Sequence, residues 1–153
     1  MAVHSGPTDP PGAWQREHLQ RYVETSGAEG HLWNGVPTLL LTTTGRRTGQ
    51  ARRTPLIYGT DQGRYLVVAS AGGSPQPPAW YLNLAADDRV TVQVADEEFV
   101  ATARAATVAE KPALWRVMTA IWPAYDEYQA KTDRDIPVVV LERRPAAAAD
   151  ATD

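Results

Sequence analysis

Hydrophobic positions along the chain change period several times, and each change marks an element. Near the N-terminus Trp14, His18, Leu19, Tyr22 and Val23 fall on roughly one side of a helix over 14–25, which Gly27 and Gly30 end. This pattern predicts a helix packed on the core; the sharper alternative is a mobile helix that covers a site or touches a membrane surface. From position 38 the period drops to two. Strand-like runs cover 38–43, 54–59, 64–70, 89–95 and 98–105, and Val90, Val92 and Val94 alternate with polar partners as in a half-buried strand. Asp61-Gln62-Gly63 reads as the turn between the second and third runs, and Asp96-Glu97 as the turn between the fourth and fifth. A sixth run, 136–141, is continuously apolar, which suits a strand buried on both faces, with Pro137 placing its start at a sheet edge.

Helical patterns interrupt these strands. A turn-rich loop over 71–78 enters a short helix at 79–84. Further on, Leu114, Val117, Met118, Ile121 and Trp122 recur at i, i+3, i+4, i+7 and i+8, an amphipathic helix. Thr107 with Glu110 resembles a capping box, but Pro112 fits the first helical turn, so the start is set near Lys111. Pro123 breaks this helix, and a shorter one follows over 125–131. About six short strands with interspersed helices and no regular βαβ alternation predict a mainly β, α+β domain over 13–144. The expected form is a small antiparallel barrel with flanking helices, not a doubly wound sheet. The proline- and glycine-rich stretch 1–12 and the alanine-rich, acidic stretch 145–153 are expected to be a disordered arm and tail.

Composition narrows the chemistry. The chain has 153 residues, 43% hydrophobic and 22% charged, enough for one domain that buries a real core without staples. With no cysteine it has no disulfide, no thiolate nucleophile and no iron–sulfur cluster. His4, His18 and His31 are scattered without ligand spacing, so they read as surface or packing residues, and no metal site is expected. The formal net charge of −3 argues against non-specific nucleic-acid binding, which needs an extended basic face. No apolar run approaches the length of a membrane span and no signal-peptide core is visible, which points to the cytoplasm, with contact at a membrane periphery open through the first helix.

Against this acidic background one stretch stands out. Between the first two strand runs, 42–53 reads Thr-Thr-Thr-Gly-Arg-Arg-Thr-Gly-Gln-Ala-Arg-Arg, and no Asp or Glu occurs from 30 to 60. Two glycines permit a tight turn with exposed amides, and Arg46, Arg47, Arg52 and Arg53 supply planar forks suited to phosphate or carboxylate. Such a loop binds an anion or is merely the charged tip of a hairpin. It is neither a Walker loop nor a dinucleotide-binding turn. Five tryptophans and six tyrosines against one phenylalanine favour rings with polar handles. Tyr125 and Tyr128 lie one turn apart beside the Pro123 break, where they could line a ligand pocket or simply pack. A protein so equipped binds a planar anionic ligand and leaves the hard chemistry to it.

Four motifs carry a resemblance. They are the loop from Thr42 to Arg52, Leu66-Val-Val-Ala-Ser-Ala-Gly-Gly73, Ala79-Trp-Tyr-Leu-Asn-Leu84, and Trp122-Pro-Ala-Tyr-Asp-Glu-Tyr128 with Thr132-Asp-Arg-Asp-Ile-Pro-Val-Val139. In this order they resemble the deazaflavin-dependent nitroreductase family of actinobacteria, over about 21–142. The resemblance implies a split β-barrel and the hydride carrier coenzyme F420. It places the cofactor's phosphate and acidic tail on Arg46, Arg47, Thr48, Gly49 and Arg52, and its ring against Pro55 and Leu56, with Val68, Ser70, Trp80 and Asn83 completing the pocket. Ser70, Tyr125 and Tyr128 match positions facing the hydride acceptor, expected to be a small-molecule quinone, nitroaromatic or similar activated compound. Two departures stand out: Ala71 occupies the place of the family's usual lysine, and Trp122 that of a tyrosine. The competing readings are an FMN-dependent oxidoreductase on a similar barrel and a deazaflavin carrier without an acceptor. Oligomeric state is open.

Overall fold

In the computed structural model, which describes residues 13–33 and 35–144, eight antiparallel strands curl into a half-barrel flanked by four helices. The arm expected over 1–12, the tail over 145–153 and the side chain of Trp14 lie outside the described residues. The strands are β1 (Leu32–Trp33), β2 (Val36–Thr44), β3 (Ala51–Ile57), β4 (Gly59–Asp61), β5 (Arg64–Val68), β6 (Arg89–Val94), β7 (Glu97–Ala105) and β8 (Val138–Arg143). The helices are α1 (Ala13–Glu24), α2 (Ala79–Ala86), α3 (Lys111–Ile121) and α4 (Ala124–Ala130). Along the sheet the order is β1, β2, β6, β7, β8, β5, β4, with β3 paired to β2. Tyr58 alone separates β3 from β4, so the chain itself joins the two ends of the curl.

Four expectations need correction. The count is eight strands, not six, because the run 54–59 divides at Tyr58 and the segment before β2 contributes the short β1. Half of the arginine-rich stretch 42–53 is strand: Thr42 pairs with Arg53, Thr43 with Arg52 and Thr44 with Ala51, leaving the connection from Gly45 to Gln50 as loop. The last strand starts after Pro137 and lies at the centre of the sheet, between β7 and β5, so its proline marks no edge. The β6–β7 turn is also shifted by one residue, to Ala95-Asp96, with Ala95 at φ 54°.

The period-two pattern of the central strands sorts their side chains into separate cores. Val139 and Leu141 point into the barrel with Leu39, Leu41, Val67, Val90 and Val92. Val138 and Val140 point the other way, with Leu66 and Val68, onto Leu114 and Met118 of α3 and Tyr125 of α4. This explains why 138–141, the first four residues of β8, are apolar without interruption. Thr107 and Glu110 make the reciprocal capping-box bonds just before α3, at 2.9 and 3.2 Å. On a third face α1 packs through Leu19 and Tyr22 against Leu40. The Tyr22 hydroxyl donates to the Thr38 carbonyl at 2.9 Å and accepts from the Ala95 amide at 2.7 Å. Burial pushes its phenol up to about 12 despite that amide. A docked helix, not a detached one, is what the N-terminal periodicity produces, and Val23 remains on its outer side.

Candidate active site

The strand β3 and the turn after β5 form two walls of one cavity of about 360 Å³. Pro55, Leu56 and Ile57 come from β3, Val68 ends β5, and Ser70, Ala71 and Gly72 belong to the turn that follows. Trp80 enters from α2, and Tyr125 and Tyr128 from α4. Seven residues expected to form the site therefore meet here: Pro55, Leu56, Val68, Ser70, Trp80, Tyr125 and Tyr128.

The two tyrosines stand edge to face, their ring centroids 6.0 Å apart. Tyr125 is buried, and that burial, reinforced by Tyr128, holds its phenol well above the usual range. It stays protonated at any ordinary pH. The Tyr128 hydroxyl accepts a long bond, 3.4 Å, from the Trp122 indole N–H, leaving its own proton available. Trp122 in turn packs against Trp33 at 5.4 Å, and both line the cavity with His18. His18 and Trp33 also face a second hollow of about 640 Å³ beside α1. Neither His18 nor Trp33 is marked by a motif. His18 is held by a 2.7 Å contact between its Nε2 and the Gly30 carbonyl, a packing role that leaves one ring edge at the site.

Arg46, Arg47, Thr48, Gly49, Arg52 and Asn83 do not line this cavity; the first four sit in the loop at the far end of β3, Arg52 on the strand beside it and Asn83 on α2. Gly45 donates to Gln50 at 2.7 Å and Gly49 to Gly45 at 2.8 Å, while Gly49 takes φ 74°. A Cβ on Gly45 would stand 2.9 Å from the Gln50 carbonyl, so the turn admits no side chain there. Asn83, buried in α2, accepts from the Arg46 amide at 3.1 Å and from its guanidinium at 3.0 Å, and its amide nitrogen donates to Thr43. Arg46 is thus tied into the loop's foundation. Arg47 and Arg52 are exposed and have no carboxylate partner among the described residues. Successive strand residues face opposite ways, and Arg53 accordingly borders a hollow with Gln20 and Glu24 of α1, away from Arg52.

Sequence reasoning also missed Arg134. Its guanidinium donates to the carbonyls of Ser74 (2.9 Å), Ala69 (3.2 Å) and Ser70 (2.8 Å), spanning the turn that forms one cavity wall. Its motif context was visible, but nothing local indicates that the side chain reaches 60 to 65 residues back. No group of three or more potential metal ligands occurs among the described residues.

Comparison with known proteins places this site in context. Residues 14–143 match the sequence model of the F420H(2)-dependent quinone reductase family. An F420H(2)-dependent quinone reductase of Mycobacterium tuberculosis is 42% identical over 133 residues, covering 84% of this chain and 89% of that protein. A solved F420-H2 dependent reductase is 42% identical, covering 69% of this chain and 94% of its own, with a TM-score of 0.65. Another solved chain, described as a domain-swapped dimer, is 39% identical, covering 87% of this chain and all of its own, with a TM-score of 0.68.

Proposed function

The chain belongs to the F420H(2)-dependent quinone reductase family, and from that premise we propose that it passes a hydride from reduced coenzyme F420 to a quinone, or to a similarly activated acceptor such as a nitroaromatic, held against Tyr125 and Tyr128. One observation carries this reading. A single strand, β3, has the arginine- and glycine-rich loop at one end and an apolar cavity wall at the other. Arg52 and Pro55 are three residues apart on it, about 10 Å at strand rise.

The residues fit a planar ring bearing an anionic tail. Arg47 and Arg52, free of carboxylates among the described residues, and the turn from Gly45 to Gly49 would hold phosphate and tail through charge-assisted bonds. Pro55, Leu56, Val68 and Trp80 would border the ring and keep water from it. When bound, the reduced deazaflavin supplies the hydride. The protein's own part is placement and charge stabilisation. Tyr128 can donate to an acceptor oxygen while its own oxygen is held by Trp122, and Tyr125 is kept protonated for the same task. Ser70, at the start of the turn wall, adds a third hydroxyl. No side chain needs to act as a nucleophile.

The test is anaerobic titration with reduced and oxidised F420 and with FMN, followed by steady-state reduction of menadione and of a nitroaromatic. Binding of the deazaflavin with turnover of menadione is the expected result. Tighter binding of FMN, or deazaflavin binding with no reduction of either acceptor, would overturn it.

A further inference from the structure

The turn after β5 is an unusual wall for a reaction cavity. Ala71, Gly72 and Gly73 follow one another at φ 47°, 64° and 87°, all left-handed, and the first has a side chain. The ladder that supports β5 stops at Val68, so this turn lacks strand partners on the cavity side. Besides its own bonds, from Gly73 to Ser70 at 2.9 Å and from Ser74 to Ala71 at 3.1 Å, and the packing of Gly73 on α4, Arg134 holds it. The fork reaches carbonyls before the turn, at Ala69 and Ser70, and after it, at Ser74. No carboxylate competes for that cation among the described residues. Arg134 is itself anchored from α4. The Gln129 side chain donates to the Arg134 carbonyl at 2.8 Å, and its oxygen accepts from the Ile136 amide at 2.9 Å. α4 also carries Tyr125 and Tyr128. One linkage therefore runs from the helix bearing the tyrosines, through Gln129 and Arg134, to the turn bearing Ser70.

Resting on the proposed hydride transfer, we infer that Arg134 is a positioning residue for that reaction. It fixes the Ser70 hydroxyl, and the turn that carries it, at a set distance from Tyr125 and Tyr128, so that the three hydroxyls act on one acceptor. It touches neither acceptor nor cofactor, and works through Ser70. Charge alone does not serve: the three carbonyls are met by three different nitrogens, Nε, Nη1 and Nη2, which the single ammonium of a lysine does not offer.

The test uses the full chain with Arg134→Ala, Arg134→Lys, Ser70→Ala and the double variant Ser70→Ala/Arg134→Ala. Amide hydrogen exchange needs no cofactor. Arg134→Ala is expected to lose protection at Ala69, Gly73 and Ser74 while the β6–β7 hairpin keeps its own. In menadione reduction, kcat is expected to fall about tenfold or more in Arg134→Ala with F420 affinity within about threefold of the parent, and Arg134→Lys to recover only part. The decisive comparison is the cycle: once Ser70 is Ala, removing Arg134 should cost less than about threefold more. Unchanged exchange at the turn, or full multiplication of the two kinetic losses, overturns the inference. If Arg134→Ala fails to fold, Arg134→Lys carries both readouts, and parental exchange and kcat in it count against the inference. If the parent protein reduces no acceptor, the proposed function falls, and the exchange arm still decides whether Arg134 holds the turn.

Discussion

Neighbouring arginines in this chain do different work, and substitution separates them. On the proposed function, Arg47→Ala and Arg52→Ala would each remove one charge-assisted contact of about 1.5–3 kcal/mol, so the F420 dissociation constant is expected to rise about ten- to a hundredfold with thermal stability kept. The loss should shrink at high salt. Unchanged affinity in both variants would reduce the loop to a hairpin tip. Ala71→Lys tests the opposite change, since Ala71 is exposed at the cavity rim; tighter binding of F420 in a titration is expected if the tail passes within reach. Tyr128→Phe keeps the ring but removes the proton offered to the acceptor, so kcat for menadione should fall while cofactor affinity holds. Full activity would make Tyr128 a packing residue. The loop and the tyrosine pair were legible because each is local in sequence, with glycines and arginines in one turn or rings at i, i+3. Asn83 was expected to complete the pocket; its bonds to Arg46, 37 residues away, were not legible. Arg134 escaped for the same reason.

The elements themselves were legible where burial is one- or two-sided and regular, as in β6, β8 and α3. They were not where chain geometry overrides periodicity. Tyr58 interrupts a continuous apolar run because the barrel turns a corner there, with its amide bonded back to Pro37 at 3.1 Å. β1 has only two residues, too few for a period. The joint between the turn at Ser70 and α4 is equally invisible in sequence, and Gly73 marks it. At φ 87°, a Cβ there would stand 2.7 Å from the Tyr128 carbonyl oxygen and 3.0 Å from its Cα. Gly73→Ala is therefore expected to cost about 1–3 kcal/mol in urea unfolding and, by displacing α4, to raise the KM for menadione. Parental stability and KM together would show that the joint has slack.

At one corner of the barrel, Glu110 links three elements. It is clasped by Arg104 of β7 at 2.8 and 3.0 Å and approached by Arg64 of β5 at 3.5 Å, just ahead of α3. The Arg104 guanidinium, then the Thr107 amide, hold its carboxyl well below the usual range. The folded form thus releases this proton more readily than the unfolded one. The resulting stability is present above the ordinary carboxylate value near 4.3 and is lost as pH falls toward the lowered one. Glu110→Gln should melt earlier than the parent at pH 7, with the gap closing as the pH is brought below about 4; a gap constant with pH would assign it to packing. The strand order has a consequence of a different kind. β8 is the shared partner of β5 and β7, yet it is the last strand of the described chain. During synthesis both partners leave the ribosome with open edges and apolar faces, and neither can close until Arg143 has emerged. Completion of the barrel therefore waits until β8 has been made. A chain stopped at Asp135 should remain unfolded by circular dichroism, and a synthetic peptide of residues 136–144 added to it should restore binding of F420.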